Sequence, residues 1–501
     1  MKIKKILIAN RGEIAVRIMK TARLMKIETI AIKTAVEPNA MYLSFADEIF
    51  DNTDDISEIP VFLNIEKLIS IALKTDATAI HPGYGFLAEN AYFAQKVIDN
   101  KLIFIGPSPD AIYKMGNKTI ARKIALAGGI PMAVGSEGNI ANEEEAALIA
   151  EQIGYPVIIK AASGGGGRGM RIVRKAEEME KLFIIASKEA EKVFNDPSVF
   201  VEKYIENPKH IEFQILGDTK GNVIHLGERE CSIQRKHQKL LEEAPSSALD
   251  EDLRKKMGNM AVQIAKAVDY HSAGTVEFLL DSEKNFYFME MNTRIQVEHP
   301  VTELVTGIDL IEQQIRIANG EELKFKQSDI KLEGWAIECR INAEDVQAGF
   351  APDPGKIECF NMPSGPCIRV DTGVQKGSSI VASYDSMIAK LIVRGKDRKD
   401  AIKNCKMALD KVWIKGTKTT LPFFRMLVRN QKFQDSSFTT AFIEKDLEKY
   451  YFNSEYEEML AAWLATKLFV EENLNDDSIN VNFEHGKVMS PWLLNKRINQ
   501  F

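Results

Sequence analysis

YPVIIKAASGGGGRGMRIV, Tyr155 to Val173, sets four consecutive glycines between two apolar runs. Glycine loses more backbone freedom on ordering than any other residue, so Gly164, Gly165, Gly166 and Gly167 are costly unless the backbone itself has a task. Strand-like Val157–Lys160 precedes them and strand-like Met170–Val173 follows, which makes a strand–loop–strand hairpin. A Walker loop needs G-x-x-x-x-G-K-[ST] opening a helix, so this is a different device. Amides without neighbouring Cβ atoms approach a polyphosphate closely and fold over it as a lid. Lys160 before the loop and Lys118 upstream supply point charges for such an anion. A flexible linker is the plain alternative, but linkers rarely occupy the turn of an apolar hairpin flanked by Lys and by Arg168.

Around this hairpin, residues of about 130–205 read as a small α/β unit, entered through a helix-rich stretch at Asn117–Ala127. The first hundred residues alternate strands (Lys5–Ala9, Thr29–Ile32, Ala77–Ile80, Leu102–Ile105) with helices (Glu13–Met25, Ile65–Leu73, Ala91–Ile98). That order implies a parallel sheet with right-handed crossovers. Its opening turn, Asn-Arg-Gly-Glu, lacks G-x-G-x-x-G, and the second strand ends near Lys33 rather than at an acid, so a dinucleotide site is disfavoured. Downstream, two hairpins pair His210–Leu216 with Val223–Gly227 and Gly274–Leu280 with Phe286–Met291. Residues of about 334–446 mix strands and helices again, and the last fifty, with Met459–Leu468 helical, read as an appended segment.

Composition narrows the classes. A chain of 501 residues suits two to four domains, and 45% hydrophobic with 27% charged residues is an ordinary globular balance. A formal net charge of -6 offers no global basic field for nucleic acid. Five scattered cysteines without C-x-x-C spacing argue against a disulfide framework and a zinc site. No stretch approaches a membrane span, and no signal-peptide pattern opens the chain. The expectation is a reduced, cytoplasmic protein that binds neither membrane nor nucleic acid.

In FYFMEMNTRIQVEHP (Phe286–Pro300), Glu290, Asn292, Arg294, Gln296 and Glu298 fall on alternate positions. A strand sends alternate side chains to one face, so the five are expected to line up while Met289, Met291, Ile295 and Val297 face the core. Glu277, in TVEFLL, lies on the strand expected to pair with this one. Two carboxylates and an amide oxygen are hard ligands of the kind Mg²⁺ needs when it bridges nucleotide phosphates. Arg294, Gln296 and Glu298 then remain for a small anion and its deprotonation. GERECSIQRKHQKLLEEAP (Gly227–Pro245) concentrates Arg229, Arg235, Lys236, His237 and Lys239; alone it reads equally well as a helix with a wet face or as an anion site. Arg340, in WAIECRINAED, follows an apolar run and is uninformative by itself. Together these features favour an ATP-dependent ligase over an oxidoreductase, a nucleotide sensor or a scaffold.

The motifs ANRGEIAVR (Ala9–Arg17), HPGYGFLAEN (His81–Asn90), FIGPS (Phe104–Ser108), GGGGRGMR (Gly164–Arg171), EKYIENPKHIEFQ (Glu202–Gln214), ERECSIQRKHQK (Glu228–Lys239), EMNTRIQVEHPVTE (Glu290–Glu303), ECRINAED (Glu338–Asp345) and YDSMIAKL (Tyr384–Leu391) resemble biotin carboxylase from residue 1 to about 446. The resemblance implies an α/β fold, α+β in its centre. It divides into a Rossmann-like N-terminal domain (1–114), an ATP-grasp domain (115–320, lid about 132–205), a C-terminal biotin carboxylase domain (334–446) and an extension (447–501).

Every site role that follows is implied by that resemblance. ATP would be held by Lys118, Lys160, Gly165, Gly166, Gly167, Met170, Glu202, Lys203, Tyr204, Ile205, His210, Gln234 and His237. Glu277, Glu290 and Asn292 match metal ligands for Mg²⁺, with Mn²⁺ able to substitute. Lys239, Arg294, Gln296, Val297 and Glu298 match the bicarbonate site, Glu298 as base, and Arg340 the residue that stabilises the biotin enolate. Biotin is the carrier-bound substrate.

The chain lacks M-K-M, the biotinylation sequence, so the biotin carboxyl carrier protein and the carboxyltransferase are expected on separate chains. A homodimer is expected, with Arg17 fitting the family's interface helix and Leu24 standing where an acid is common. Other departures are Ile32–Glu37, Tyr42 for a His, Asn117 for an Asp and Val134 for a Pro. The segment after about Asp446, with Tyr450, Tyr451, Trp463 and Trp492, either docks on a partner or caps its own domain. The runner-up is another bicarbonate-activating ATP-grasp ligase, carbamoyl-phosphate or purine-pathway in type. The former would show a duplicated grasp unit, which is absent, and the latter is expected to lack ERECSIQRKHQK and ECRINAED.

Overall fold

The first buried run forms β1 (Lys5–Ile8), the centre of a five-stranded parallel sheet ordered β3-β2-β1-β4-β5. Its other strands are β2 (Glu28–Thr34), β3 (Glu48–Asn52), β4 (Ala79–His81) and β5 (Ile103–Phe104). The strand that the sequence did not signal is β3, an edge strand whose Ile49 is exposed. One face packs Leu7, Ile30 and Ile80 against helices α2 (Ile65–Lys74) and α3 (Ala91–Asp99). The other packs Ile6 and Ile8 against α1 (Gly12–Leu24). The computed structural model describes residues 2–55, 57–136, 138–162, 170–447, 463 and 465–467. By contacts the chain divides into Met1–Leu447 and Glu448–Phe501; in the second unit, Trp463 and 465–467 are helical.

Two short helices lead onward, α4 (Pro109–Gly116) and α5 (Lys118–Ala127). Asn117 caps α5, its side chain accepting from the Ile120 amide at 3.0 Å. Asn and Asp serve this role about equally, which explains why the acid is dispensable here. A three-stranded sheet follows, ordered β7-β6-β8, from β6 (Val157–Ala161), β7 (Arg171–Val173) and β8 (Val199–Lys203). It packs against α6 (Glu143–Ile153) and α7 (Met179–Phe194). The β6–β7 hairpin exists as the sequence implies, with Ile159 opposite Arg171. Its connecting glycines Gly164–Gly167 and Arg168 lie outside the described residues, as do Tyr450, Tyr451 and Trp492.

Most of the remaining strands form one eight-stranded antiparallel sheet, with three two-stranded sheets beside it among the described residues. The first five strands of the large sheet in the chain are β9 (Lys209–Gly217), β10 (Val223–Arg235), β11 (Gln238–Ala244), β12 (Ser272–Leu280) and β13 (Phe286–Asn292). They are joined by β14 (Trp335–Asn342), β15 (Ile368–Thr372) and β16 (Met387–Gly395), in the order β13-β12-β9-β10-β11-β14-β16-β15. The sheet crosses from residues before 320 to residues after 334 without a break, because β11 pairs with β14 (Leu241 opposite Cys339, Ala244 opposite Ala336). The basic GERECSIQRKHQKLLEEAP segment is therefore a hairpin and not a helix. Lys236 and His237 form its turn, both in the left-handed region at φ 48° and 64°. Helix α8 (Glu251–Ala267) covers the face of Ile211, Phe213 and Val276, whereas α9 (His299–Thr306) and α10 (Leu310–Ala318) lie on the opposite face, α10 against Leu216 and Ala273 and α9 with Thr302 on Arg229.

The expected five-residue polar row is corrected. Strand β13 ends at Asn292, so Arg294, Gln296 and Glu298 leave the sheet in a loop, and Glu298 stands just before α9. Within β13 a bulge at Met289 changes the parity: Phe288 faces Phe278, whereas Glu290 faces Glu277. Because Glu277 and Phe278 are adjacent, they point to opposite faces, and so do Phe288 and Glu290. The bulge thus turns one strand from core-facing phenylalanines to site-facing polar groups.

Just past β15, Gly373 lies against the first turn of α1; a Cβ there would sit 2.5 Å from the Gly12 carbonyl carbon and 2.6 Å from the Glu13 nitrogen. Gly373→Ala is therefore expected to cost about 1–3 kcal/mol through overpacking, read as a lower denaturation midpoint with unchanged slope.

Candidate active site

A single cross-strand row organises the site. Glu290 on β13 faces Glu277 on β12, which faces Glu212 on β9, which faces Arg229 on β10. Glu212, Arg229 and Glu277 are buried. Arg229 satisfies its guanidinium completely within the protein. It pairs with Glu212 and donates to Gln214 Oε1 at 2.6 Å, Thr302 Oγ1 at 3.0 Å, Thr275 Oγ1 at 3.1 Å and Gln296 Oε1 at 2.8 Å. Gln296 in turn donates to Glu277 Oε1 at 2.9 Å, so both ends of its amide are assigned.

Lys239, opposite Gln234 near the tip of the β10–β11 hairpin, reaches into the row. Its Nζ contacts Glu212, Glu277 Oε1 at 3.0 Å and Glu298 Oε1 at 2.6 Å. Burial works against the ammonium, but the three carboxylates hold its pKa well above the ordinary lysine value. Burial likewise opposes ionisation of Glu298, yet Lys239, Arg340 and Arg229 hold its carboxyl well below the usual range. Glu277 is also held well below it, by Lys239 and by His210, whose Nε2 lies 2.9 Å from Glu277 Oε2. Arg340 Nη2 donates to Glu298 Oε2 at 2.8 Å and also makes ion-pair contact with Glu242.

Other groups are poised differently. Burial and the neighbouring Glu277 raise the Glu290 pKa, with Lys118 opposing. Asn292 donates to Glu277 Oε1 at 2.8 Å and accepts from Arg294 at 3.3 Å. Two adjacent carboxylates of opposed pKa shift, Glu277 buried and Glu290 half-buried, with an amide oxygen beside them, form a hard donor set that suits Mg²⁺. Arg294 is tied to Glu89, 2.8 Å away, in the HPGYGFLAEN segment. Glu242 and Glu338 face each other across β11 and β14; burial pushes Glu242 up to about 7 and Glu338 well above the usual value.

The expected nucleotide residues fall into two groups. His210 and Gln234 are buried within the large sheet, while His237 occupies the exposed turn. Lys160 on β6 pairs with Glu202 on β8 at 2.6 Å, and Arg122 contacts the same carboxylate. Lys203 Nζ donates to the carbonyls of Gly154 at 2.9 Å and Tyr155 at 3.1 Å, and the Tyr204 amide donates to the Pro156 carbonyl at 3.1 Å. Met170, Ile205 and Val297 are half-buried; Gly165, Gly166 and Gly167 lie outside the described residues. Lys118 opens α5, its pKa lowered by burial against the pull of Glu290.

Sequence reasoning did not single out Glu212, Glu242, Glu338 or Glu89, nor the role of Arg229 as the hub. A signal for Glu212 existed: in HIEFQILG, polar His210, Glu212 and Gln214 alternate with apolar Ile211, Phe213 and Ile215.

A buried, ionised carboxylate between an ammonium and a guanidinium, beside a hard-ligand pair, suits deprotonation of a small anion next to a metal-bridged polyphosphate. Family models match the chain in three blocks: the biotin carboxylase N-terminal domain over residues 2–112, the carbamoyl-phosphate synthase L chain ATP-binding domain over 117–326 and the biotin carboxylase C-terminal domain over 338–445. A biotin carboxylase of a Nostoc species is 53% identical over 89% of this chain and 99% of its own. The chain belongs to the biotin carboxylase family. Biotin carboxylase 1 of Bacillus subtilis is 52% identical over 88% of this chain and 98% of its own. Among solved structures, the biotin carboxylase domain dimer of Hydrogenobacter thermophilus 2-oxoglutarate carboxylase, in complex with MgADP, ADP and bicarbonate, superposes with a TM-score of 0.87. It shares 47% identity and covers 90% of this chain and 99% of its own. A Campylobacter jejuni biotin carboxylase in a β,γ-ATP complex gives a TM-score of 0.86 at 46% identity, over 89% of this chain and 99% of its own. Among the described residues, no helix of this chain is long and apolar enough to cross a membrane.

Removing the central cation tests the electrostatics directly. Lys239→Met is expected to raise the Glu298 pKa, because the ammonium that favours its ionised form is lost while burial remains. Protonated Glu298 then appears closer to neutral pH, read as the carboxyl infrared band that Lys239→Met shows and Lys239→Met/Glu298→Gln lacks.

Proposed function

We propose that this chain performs the first half-reaction of a biotin-dependent carboxylase, using ATP and bicarbonate to carboxylate biotin. The observation that carries the proposal is Glu298, buried and held ionised, 2.6 Å from Lys239 and 2.8 Å from Arg340. Lys239, Arg294 and Gln296 hold bicarbonate while the Glu298 carboxylate takes its proton. A carbonate oxygen attacks the γ-phosphorus, the bond to the β-γ bridging oxygen breaks, and ADP leaves carboxyphosphate behind. Carboxyphosphate divides into CO₂ and phosphate, the phosphate takes the ureido proton of biotin, and the nitrogen attacks CO₂. Arg340, cationic at any working pH, meets the negative charge that develops on the ureido oxygen. Glu277, Glu290 and Asn292 would hold Mg²⁺, which when bound neutralises the nucleotide phosphates. Lys118, Lys160, the glycine lid with Met170, Glu202–Ile205, His210, Gln234 and His237 take the nucleotide.

The same proposal divides the chain at 1–114, 115–320, 334–446 and 447–501, supported by the three matched blocks. It places the carrier and transferase on separate chains, the catalytic chain in a cytoplasmic homodimer, and the segment after about Asp446 on a partner. Relatives of this chain include a pyruvate carboxylase subunit of Methanothermobacter thermautotrophicus and the 2-oxoglutarate carboxylase small subunit of Hydrogenobacter thermophilus. That range suits a subunit indifferent to the final acceptor, which the transferase selects.

The purified chain should cleave ATP slowly with Mg²⁺ and bicarbonate, and free biotin should accelerate the cleavage. In Arg340→Ala the biotin acceleration should vanish while the slow bicarbonate-dependent cleavage persists. Indifference to both free biotin and biotinylated carrier would move the assignment to another bicarbonate-activating ligase.

A further inference from the structure

Lys390, on β16, is fully buried, a placement lysine almost never takes without a reason. Its Nζ donates to the main-chain carbonyl of Val297 at 2.9 Å and lies 3.0 Å from Glu13 Oε1. Glu13 stands in the first turn of α1 and also accepts from the Tyr84 hydroxyl. Asp371 is a more distant counter-charge at 4.0 Å, and Arg340 lies directly opposite Lys390 in the sheet.

One residue earlier, the carbonyl of Gln296 is held too, by His299 Nδ1 at 2.8 Å. Burial, with Lys390 and other cations adding to it, keeps the His299 pKa well below its usual value, so the ring is neutral and carries its hydrogen on Nδ1. Two consecutive carbonyls, immediately before the base Glu298, are thus pinned by side chains. In a trans peptide the C=O and the following N–H point in opposite directions. Fixing the Gln296 and Val297 carbonyls therefore fixes the directions of the Val297 and Glu298 amides. Valine has no polar side chain, so any part it takes in holding an anion must run through its main chain.

Resting on the proposed half-reaction, we infer that Lys390 is a positioning residue for bicarbonate: it sets the Val297–Glu298 peptide, with Glu13 of the N-terminal helix as its counter-charge. The pair joins three parts of the fold at one peptide: α1, the loop after β13 and strand β16. Lys390 touches no substrate in this scheme and acts only through the main chain it holds.

The test compares bicarbonate-dependent ATP cleavage by the full-length chain, Lys390→Met and Lys390→Met/Glu13→Gln. Methionine keeps most of the volume but cannot donate. The double variant removes both members of the Lys390–Glu13 pair together, while the introduced glutamine still accepts from Tyr84. Both variants should raise the bicarbonate KM about tenfold or more, with the ATP KM within about twofold of wild type, since the loop anchor is lost and the nucleotide residues are untouched. If Lys390→Met does not fold, the double variant decides. A double variant with wild-type bicarbonate KM would show that Lys390 only balances charge, and would overturn the inference. Equal rises in both KM values would overturn it too, as general loosening. A wild-type chain without bicarbonate-dependent cleavage would instead sink the half-reaction itself and take the inference with it.

Discussion

Three buried carboxylates, Glu212, Glu277 and Glu298, converge on the single ammonium of Lys239. Left alone they would repel one another and take up protons; around one cation, with Arg229 and Arg340 behind it, Glu277 and Glu298 stay ionised out of water. Nearly everything else in the central sheet follows from meeting that requirement. Strands β9 and β12 must lie side by side to bring Glu212 opposite Glu277, and the β10–β11 hairpin must be long enough for Lys239 to reach them. Arg229 must be saturated by five acceptors, because an unpaired buried guanidinium costs several kcal/mol, roughly the size of a domain's net stability.

The hairpin that delivers Lys239 turns through Lys236 and His237, both non-glycine residues with positive φ. Such a turn is usually built from Asn-Gly, so its side chains are kept at some expense in backbone energy. Strain in the exposed turn that carries His237, a proposed nucleotide contact, fits a position kept for its side chains.

Much of this was legible in the sequence, and what was not has physical causes. Strands β1, β2 and β4 announced themselves as short apolar runs between turn signals, whereas β3 is an edge strand whose Ile49 and Asp51 face water. Alternation located Glu290 and Asn292 correctly. It failed past Asn292, because periodicity carries no information about where a strand stops or where a bulge changes its parity. Long-range pairs such as Arg294 with Glu89, or Lys390 with Glu13, join residues hundreds of positions apart, and no local pattern predicts them. The resemblance implied positions for the site, whereas the fold alone shows Arg229 as the hub of the buried hydrogen bonds around Glu212, Gln214 and Gln296.

The continuity of the eight-stranded sheet bears on how such a chain can be shortened or rearranged. Strand β11 hydrogen-bonds to β14 across what the sequence suggests is a domain boundary, so the two regions share a ladder rather than a surface. A chain cut between them would bare two long strand edges at once, each a ready template for pairing with other copies. Glu298 and Arg340 would be parted by the same cut. Loss of the Glu298–Arg340 pair and aggregation of the fragments would therefore arrive together, so the segment from the first strand of the central sheet to its last has to be kept as one piece.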